Sequence, residues 1–267
     1  MSRAKVSYMT PASSDDHELA RQLATEAGAL LVELRARMVA DGADPREMKD
    51  EGDRRSHDLL TERLAAARPA DAVLSEEDRP DAVLDAPHPP RLDSSRVWII
   101  DPLDGTREFG EPPRHDWAVH VALCIDGLPV AGAVALPALG ETLSTAEPPT
   151  LTTAAHDPLR VLVSRTRPPA EALSVARSID AQLVEMGSAG AKAMAVVRGE
   201  ADAYPHSGGQ YEWDSCAPVA VALAAGAWCS RLDGTPLAYN RPDPYLPDLL
   251  ICRPELAERI LATLHHG

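Results

Sequence analysis

The chain has 267 residues, enough for one large α/β domain or two modest halves sharing a core. Hydrophobic residues make up 45% and charged residues 25%, the balance of a folded protein, and a single Phe among 4% aromatics argues against stacking on single-stranded nucleic acid. A formal net charge of −15 excludes a broad phosphate-backbone surface, so an anionic ligand needs a bound cation to invert the local potential.

From about Asp15 to Met38, Leu19, Leu23, Ala27, Leu30, Leu31 and Leu34 recur at helical spacing, with Ser14 read as N-cap and Asp41-Gly42 as stop. A charged loop is expected over 42–55, then a second helix over 57–67, ended by Pro69. Ala72-Val73-Leu74 reads as a short strand running into Ser75-Glu76-Glu77-Asp78. Beyond a Pro-rich connector (80–90) a buried strand is expected over 97–100. Pro102 has no amide to give a ladder, so this strand should stop at or near Asp101. Strands over 117–125 and 130–135 flank the turn pair Asp126-Gly127, and another is expected around Leu143. The stretch 146–158 is rich in Pro, Thr and Ala and marks a boundary between halves 1–153 and 154–267. The second half alternates: strand 160–163, helix 170–179, strand 182–186, helix 189–197, strand 201–204, helix 215–225, strand 249–252, helix 254–264. Such alternation favours a layered α/β fold.

Cys124, Cys216, Cys229 and Cys252 have neither C-x-x-C spacing nor a His-rich neighbour, so neither zinc nor a disulfide framework is expected. The N-terminus shows no apolar leader and no segment is apolar enough to span a membrane; the expectation is a reduced, cytoplasmic enzyme.

The most informative stretch is Trp98-Ile99-Ile100-Asp101-Pro102-Leu103-Asp104-Gly105-Thr106-Arg107-Glu108-Phe109. It places two carboxylates at a strand tip across a tight turn, an arrangement that repels itself unless a divalent cation sits between them. Each piece has a plain structural alternative. Asp101 and Asp104 suit turns, Glu76-Glu77-Asp78 suits a solvated corner, and Asp214 suits an N-cap for the helix after it, with Pro218 tolerated in a first turn. The joint occurrence of these pieces points instead to chemistry. Gly105 and Thr106 open a turn whose amides can face an anion, and the Thr106 hydroxyl can orient an attacking water.

Taken together, Ser75-Glu76-Glu77-Asp78, Asp101 to Thr106, and Trp213-Asp214 running into Gly226 resemble the lithium-sensitive, magnesium-dependent phosphomonoesterases of the inositol monophosphatase superfamily. Glu108-Phe109, where inositol monophosphatases usually have Asn-Phe, is similar to the CysQ-type branch that acts on 3′-phosphoadenosine 5′-phosphate. So are Val163-Ser164-Arg165, Gly187-Ser188 with Lys192, Glu212-Trp213-Asp214 and Asp233-Gly234-Thr235-Pro236-Leu237. The resemblance covers residues 49–240. It implies an α/β, αβαβα sandwich of the inositol monophosphatase and fructose-1,6-bisphosphatase type. Residues 1–153 would carry most metal ligands, and 154–267 would add Asp214 and substrate contacts.

The resemblance further implies two or three Mg2+ ions. Glu76, Asp101 and the Leu103 carbonyl would hold one; Asp101, Asp104 and Asp214 a second; Glu76 a weaker third. Thr106 oriented by Asp58, with Glu76, would form the catalytic set. Substrate would be bound by Glu76, Leu103, Asp104, Gly105, Thr106 and Asp214, and its nucleotide or second phosphate by Ser164, Arg165, Arg167, Ser188 and Lys192. Three departures stand out. Ser56-His57-Asp58, one residue shorter, replaces the family's Thr-Ala-x-Asp element, Lys192 follows Ser188 by four residues where the nucleotide branch has three, and the strand region after Pro137 is trimmed. The implied reaction is hydrolysis of the 3′-phosphate of 3′-phosphoadenosine 5′-phosphate in sulfate assimilation, by in-line attack of metal-activated water without a phosphoenzyme. The sulfated analogue, inositol phosphate and fructose 1,6-bisphosphate stay open as substrates. A haloacid-dehalogenase-like aspartyl nucleophile would need one residue between its aspartates, not two, and a non-catalytic sensor would have no reason to keep every ligand. The partner expected is a small phosphorylated molecule, with a homodimer by analogy. On this reading Asp104→Asn abolishes turnover and leaves the fold intact, because one repulsive charge is removed.

Overall fold

The computed structural model describes residues 12–78, 89–151 and 155–265; the N-terminal residues, most of the Pro80–Pro90 connector and part of the 146–158 boundary lie outside the described residues. Helix α1 (Ser14–Ala40) starts one residue earlier than expected, because Ser13 and not Ser14 is the N-cap. The Ser13 hydroxyl accepts the Asp16 amide at 3.2 Å and the Asp16 carboxylate accepts the Ser13 amide at 3.0 Å, a reciprocal capping box. Asp16 also takes Arg68 at 2.9 Å and Arg96 at 3.1 Å. Burial alone would raise its pKa, but the Ser13 amide, Arg68, the Ser13 hydroxyl and Arg96 outweigh it and lower it from 3.8 to about 2. The folded value lies below the unfolded one, so the stabilisation is complete above pH 3.8 and is lost as pH falls through 2. Asp16→Asn is therefore expected to lose about 2 kcal/mol at pH 7. Urea unfolding of both proteins should show the gap closing between pH 4 and pH 2.

Helix α2 (Pro45–Ala67) replaces most of the expected loop. Asp44 caps it by accepting the Arg46 amide at 2.7 Å, and Pro45 occupies a first-turn position that needs no amide. Its buried stripe is Met48, Gly52, Ser56, Leu60 and Leu64, every fourth residue. On the outer face Glu51 pairs with Arg54 and Arg55, and Arg54 pairs with Asp58.

One five-stranded sheet runs in the order β1 (Ala72–Ser75), β2 (Arg96–Asp104), β3 (Ala118–Ile125), β4 (Leu128–Leu136), β5 (Glu141–Ser144). Strands β1 and β2 are parallel and the rest antiparallel. Strand β2 does not end at Asp101. Its ladder with β3 breaks at Pro102-Leu103 and resumes where Asp104 pairs with Ala118, a bulge that absorbs the missing proline amide. The one-turn helix α3 (Thr106–Phe109) follows.

The second sheet runs β7 (Gln182–Met186), β6 (Arg160–Ser164), β8 (Ala203–Tyr211), β10 (Tyr245–Cys252), β9 (Trp228–Ser230). Helices α4 (Ala170–Ser178), α5 (Ala189–Val197), α6 (Glu212–Ala224) and α7 (Pro254–His265) connect or close it. Strand β9 was not anticipated, and β8 and β10 extend further than the apolar runs indicated. Alternating residues sort the layers. Trp98, Ile100, Val119 and Val121 face α1 and α2, whereas Val97, Ile99, Ala122 and Val134 face α5 and α6. Leu162, Tyr204, Leu249 and Ile251 of the second sheet share that same middle core, while Val161, Val163, Leu250 and Cys252 face α4 and α7. The result is an αβαβα sandwich with α5 and α6 as its middle layer. Among the described residues no helix is long and apolar enough to cross a membrane.

Candidate active site

The β2 bulge, the C-terminal end of β1 and the first turn of α6 meet at one place. Asp101, Asp104 and Asp214 each bring a carboxylate oxygen into a group lying within 4.8 Å of one another. Asp101 Oδ1 accepts the Leu103 amide at 3.1 Å, while Oδ2 is buried and has no hydrogen-bond partner among the described residues. Burial, then the charges of Glu76, Asp104 and Asp214, push the Asp101 carboxyl well above the usual carboxylate range. Asp214 is driven to about 7 by burial and by Asp104. Asp214 is not the N-cap of α6 but its third residue: Tyr211 is the cap, and its amide donates to Asp214 Oδ2 at 2.6 Å. Since α6 begins at Glu212, Pro218 lies inside the helix rather than in its first turn.

Asp104 behaves differently. Its carboxylate accepts Ser188 Oγ at 2.5 Å, the Gly190 amide at 2.6 Å and the Ala189 amide at 3.0 Å. His120 Nε2 stands 3.1 Å from Oδ2, a charge contact off the hydrogen-bonding direction. Against the upward push of burial, His120, Ser188 and the Gly190 amide hold Asp104 down at about 2. This corrects the expectation that Asp104→Asn spares the fold by relieving repulsion, because the carboxylate is a satisfied one.

His120 was not anticipated, although a lone polar side chain in the apolar run of β3 was the available signal. It is fully buried, and its Nδ1 lies 2.9 Å from the Trp213 carbonyl. It thereby joins Asp104 on the first sheet to the residue preceding Asp214. A Cβ at Gly190 would overlap its ring. Gly190→Ala is thus expected to cost about 1–3 kcal/mol by overpacking. By shifting His120 it should also weaken metal-dependent turnover about 10- to 100-fold. Denaturant unfolding and a magnesium titration of the rate check both.

Glu76 is half-buried just past β1, where its amide donates to the Ile100 carbonyl at 3.3 Å. The Leu103 carbonyl accepts the Thr106 hydroxyl at 3.0 Å, and Thr106 Oγ1 lies 3.5 Å from Asp53 Oδ1. Asp58, expected beside Thr106, is instead exposed on the outer face of α2 and paired with Arg54 at 3.0 Å. The helix places Asp53, five residues earlier, at the site. Gly52 makes this approach work, since a Cβ there would come within 2.9 Å of Leu103 and Phe109 side-chain atoms. Ser56 Oγ adds a 2.6 Å bond to the Pro102 carbonyl. Burial first, and then Glu77 and Glu76, raise Asp53 from 3.8 to about 8.

Beside the carboxylates opens a cleft of about 530 Å³, lined among others by Asp104, Ser164, Arg167, Ser188, Lys192, His206 and Asp214. Arg165, expected as a nucleotide contact, reaches Glu108 of α3 at 2.8 Å and Glu111 just beyond it at 3.0 Å, tying the end of β6 to that helix and the segment after it. Lys192 is buried with its ammonium on the Gly187 and Ser188 carbonyls. Gly105 takes a left-handed backbone (φ 84°) that turns the chain from β2 into α3.

Residues 14–267 match the inositol monophosphatase family. The chain belongs to this family. Within it, the chain is 51% identical over 249 residues to the 3′-phosphoadenosine 5′-phosphate phosphatase of Mycobacterium bovis, covering 90% of this chain and 89% of that protein. It is 31% identical to the 3′(2′),5′-bisphosphate nucleotidase CysQ of Escherichia coli K12, covering 84% and 94%. The fold is that of inositol monophosphatase II from Staphylococcus aureus (TM-score 0.74, 22% identity, 93% and 95% covered). It is likewise that of CysQ from Bacteroides thetaiotaomicron (TM-score 0.72, 23% identity, 90% and 97% covered). The αβαβα expectation for this family member accords with those likenesses. The family's phosphatases act on small phosphorylated molecules, and the donors gathered here are all oxygens.

Proposed function

We propose that this inositol monophosphatase family member is a magnesium-dependent phosphomonoesterase that hydrolyses the 3′-phosphate of 3′-phosphoadenosine 5′-phosphate to give AMP. The observation that carries the reading is the convergence of Asp101, Asp104 and Asp214, two of which, Asp104 and Asp214, line a cleft of about 530 Å³. The Mycobacterium bovis relative named for that substrate, and the Escherichia coli relative named as a 3′(2′),5′-bisphosphate nucleotidase, support its specificity.

The donor set fits a hard cation: buried carboxylate oxygens that repel one another, one of them without a hydrogen-bond partner among the described residues. Glu76, Asp101 and the Leu103 carbonyl would hold one ion, Asp101, Asp104 and Asp214 a second, and Glu76 a weaker third. Bound there, magnesium would acidify a water and neutralise charge on the phosphoryl oxygens. Thr106 Oγ1 would orient the attacking water, and the Asp53 carboxylate, 3.5 Å from that hydroxyl, would accept the proton relayed through it at Oδ1 once a bound cation offsets the Glu76 and Glu77 charges that oppose its ionisation. The Gly105 and Thr106 amides would face the phosphate, and Ser164 and Arg167 would face the rest of the nucleotide across the cleft.

The test compares phosphate release from 3′-phosphoadenosine 5′-phosphate, inositol 1-phosphate and fructose 1,6-bisphosphate with magnesium, with and without lithium. The nucleotide should lead in kcat/KM by at least about tenfold, about 1.4 kcal/mol, with lithium inhibiting. Preference for either other substrate would reassign the specificity. No release from any of them would remove the phosphatase reading.

A further inference from the structure

We propose that Lys192 is a positioning residue that sets Asp104 through the Gly187-Ser188 turn, and not a contact to the nucleotide. The inference rests on Asp104 being a metal ligand, as proposed above.

Lys192 lies four residues past Ser188, the N-cap of α5. Helical side chains lean toward the N-terminus, so a lysine at that spacing folds back over the first turn. Here Nζ donates to the Ser188 carbonyl at 2.6 Å and to the Gly187 carbonyl at 3.1 Å, and the Tyr204 ring lies 5.2 Å away. An ammonium has three donors; two are on carbonyls and an aromatic ring borders the group. The residue is 5% exposed although it lines the cleft. A lysine that reads a ligand phosphate would offer its donors to the cleft rather than to its own backbone.

The turn it holds carries an unusual backbone. Ser188 has φ 48° and ψ 132°, a left-handed backbone that a residue with a Cβ rarely adopts. That conformation aims Ser188 Oγ at Asp104 Oδ2 while the same oxygen accepts the Ala191 amide at 2.9 Å. It also turns the Ala189 and Gly190 amides onto both oxygens of Asp104. From the other side the Gly187 amide donates to Asp116 Oδ2 at 2.6 Å. The buried ammonium therefore pins two carbonyls of a strained turn, and the turn pins a carboxylate carried by the opposite sheet.

The experiment measures Mn2+ binding by electron paramagnetic resonance in the wild type, Lys192→Met, Lys192→Arg and Ser188→Ala, all as full chains. Rates on 3′-phosphoadenosine 5′-phosphate and on p-nitrophenyl phosphate are recorded alongside. Lys192→Met should bind Mn2+ about 10- to 100-fold more weakly. It should lose turnover by the same factor on both substrates, with KM for the nucleotide within about twofold of wild type. Lys192→Arg, which keeps donors for the carbonyls, should recover part of the loss. Ser188→Ala combined with Lys192→Met should be no weaker than the worse single variant, because the two act as one unit. Unchanged Mn2+ binding with a raised KM for the nucleotide alone would make Lys192 a substrate contact and overturn the proposal. Unchanged Mn2+ binding with only a lower melting temperature would overturn it in favour of plain packing. If Lys192→Met does not fold, full Mn2+ affinity in Ser188→Ala overturns it equally. A wild type whose Mn2+ affinity depends on Lys192 but which releases no phosphate would defeat the proposed function and leave this positioning role standing.

Discussion

Asp104→Asn is expected to lose at least about a thousandfold in turnover at saturating magnesium, about 4 kcal/mol of transition-state stabilisation. It is also expected to lose stability, about 2 kcal/mol, because its carboxylate is held at about 2 by donors that an amide cannot satisfy in the same way. Asp101→Asn gives the contrast. It should lose activity as severely but gain stability in metal-free buffer, since burial and three neighbouring carboxylates oppose its charge. Paired urea titrations in EDTA read the two opposite signs, and a phosphate-release assay reads the common loss. Equal destabilisation of both variants would contradict the charge distribution described for the cluster.

Asp53→Asn should lower turnover by about a hundredfold to ten-thousandfold, the range for a positioned proton acceptor, with magnesium binding retained. Asp58→Asn should stay within about twofold, for its carboxylate sits in an exposed pair with Arg54 that contributes little. Steady-state rates of the two variants decide which aspartate of α2 serves Thr106. A large loss in Asp58→Asn with a near-normal Asp53→Asn would restore the assignment made from sequence.

That exchange of aspartates shows where sequence reading runs out. Helix α5 could be delimited at both ends from its Ala, Met and Val run and its Ser cap, because a buried helix declares itself by composition. Helix α2 could not. Its inward stripe contains Gly52, small because Leu103 and Phe109 come close, and Ser56, which bonds the Pro102 carbonyl, and neither residue carries a hydrophobic signal. The reading of 57–67 as helix holds the second half of α2, but reading 42–55 as loop loses the first half and, with it, Asp53. The every-fourth pattern Met48, Gly52, Ser56, Leu60, Leu64 was the signal that could have recovered both. The Asp101–Asp104 motif was legible because it occurs together with Glu76 and Asp214 in matching motifs, although alone it also suits a turn. Arg165 and Lys192 were not: Arg165 pairs with Glu108 and Glu111 on a segment distant in sequence, while Lys192 folds back onto the backbone of its own helix cap.

The middle helical layer comes from the second half of the chain, yet both sheets close over it. Val97 and Ile99 of the first sheet and Leu249 and Ile251 of the second close over the same α5–α6 slab. Gly132 admits α6 so closely that a Cβ would come within 2.8 Å of Ala220. A fragment ending near residue 153 would bare one entire β face to water and leave Asp104 without its clamp. Severing the chain there should yield two insoluble pieces rather than two working modules, and gene fusions or circular permutants must keep both sheets in one polypeptide.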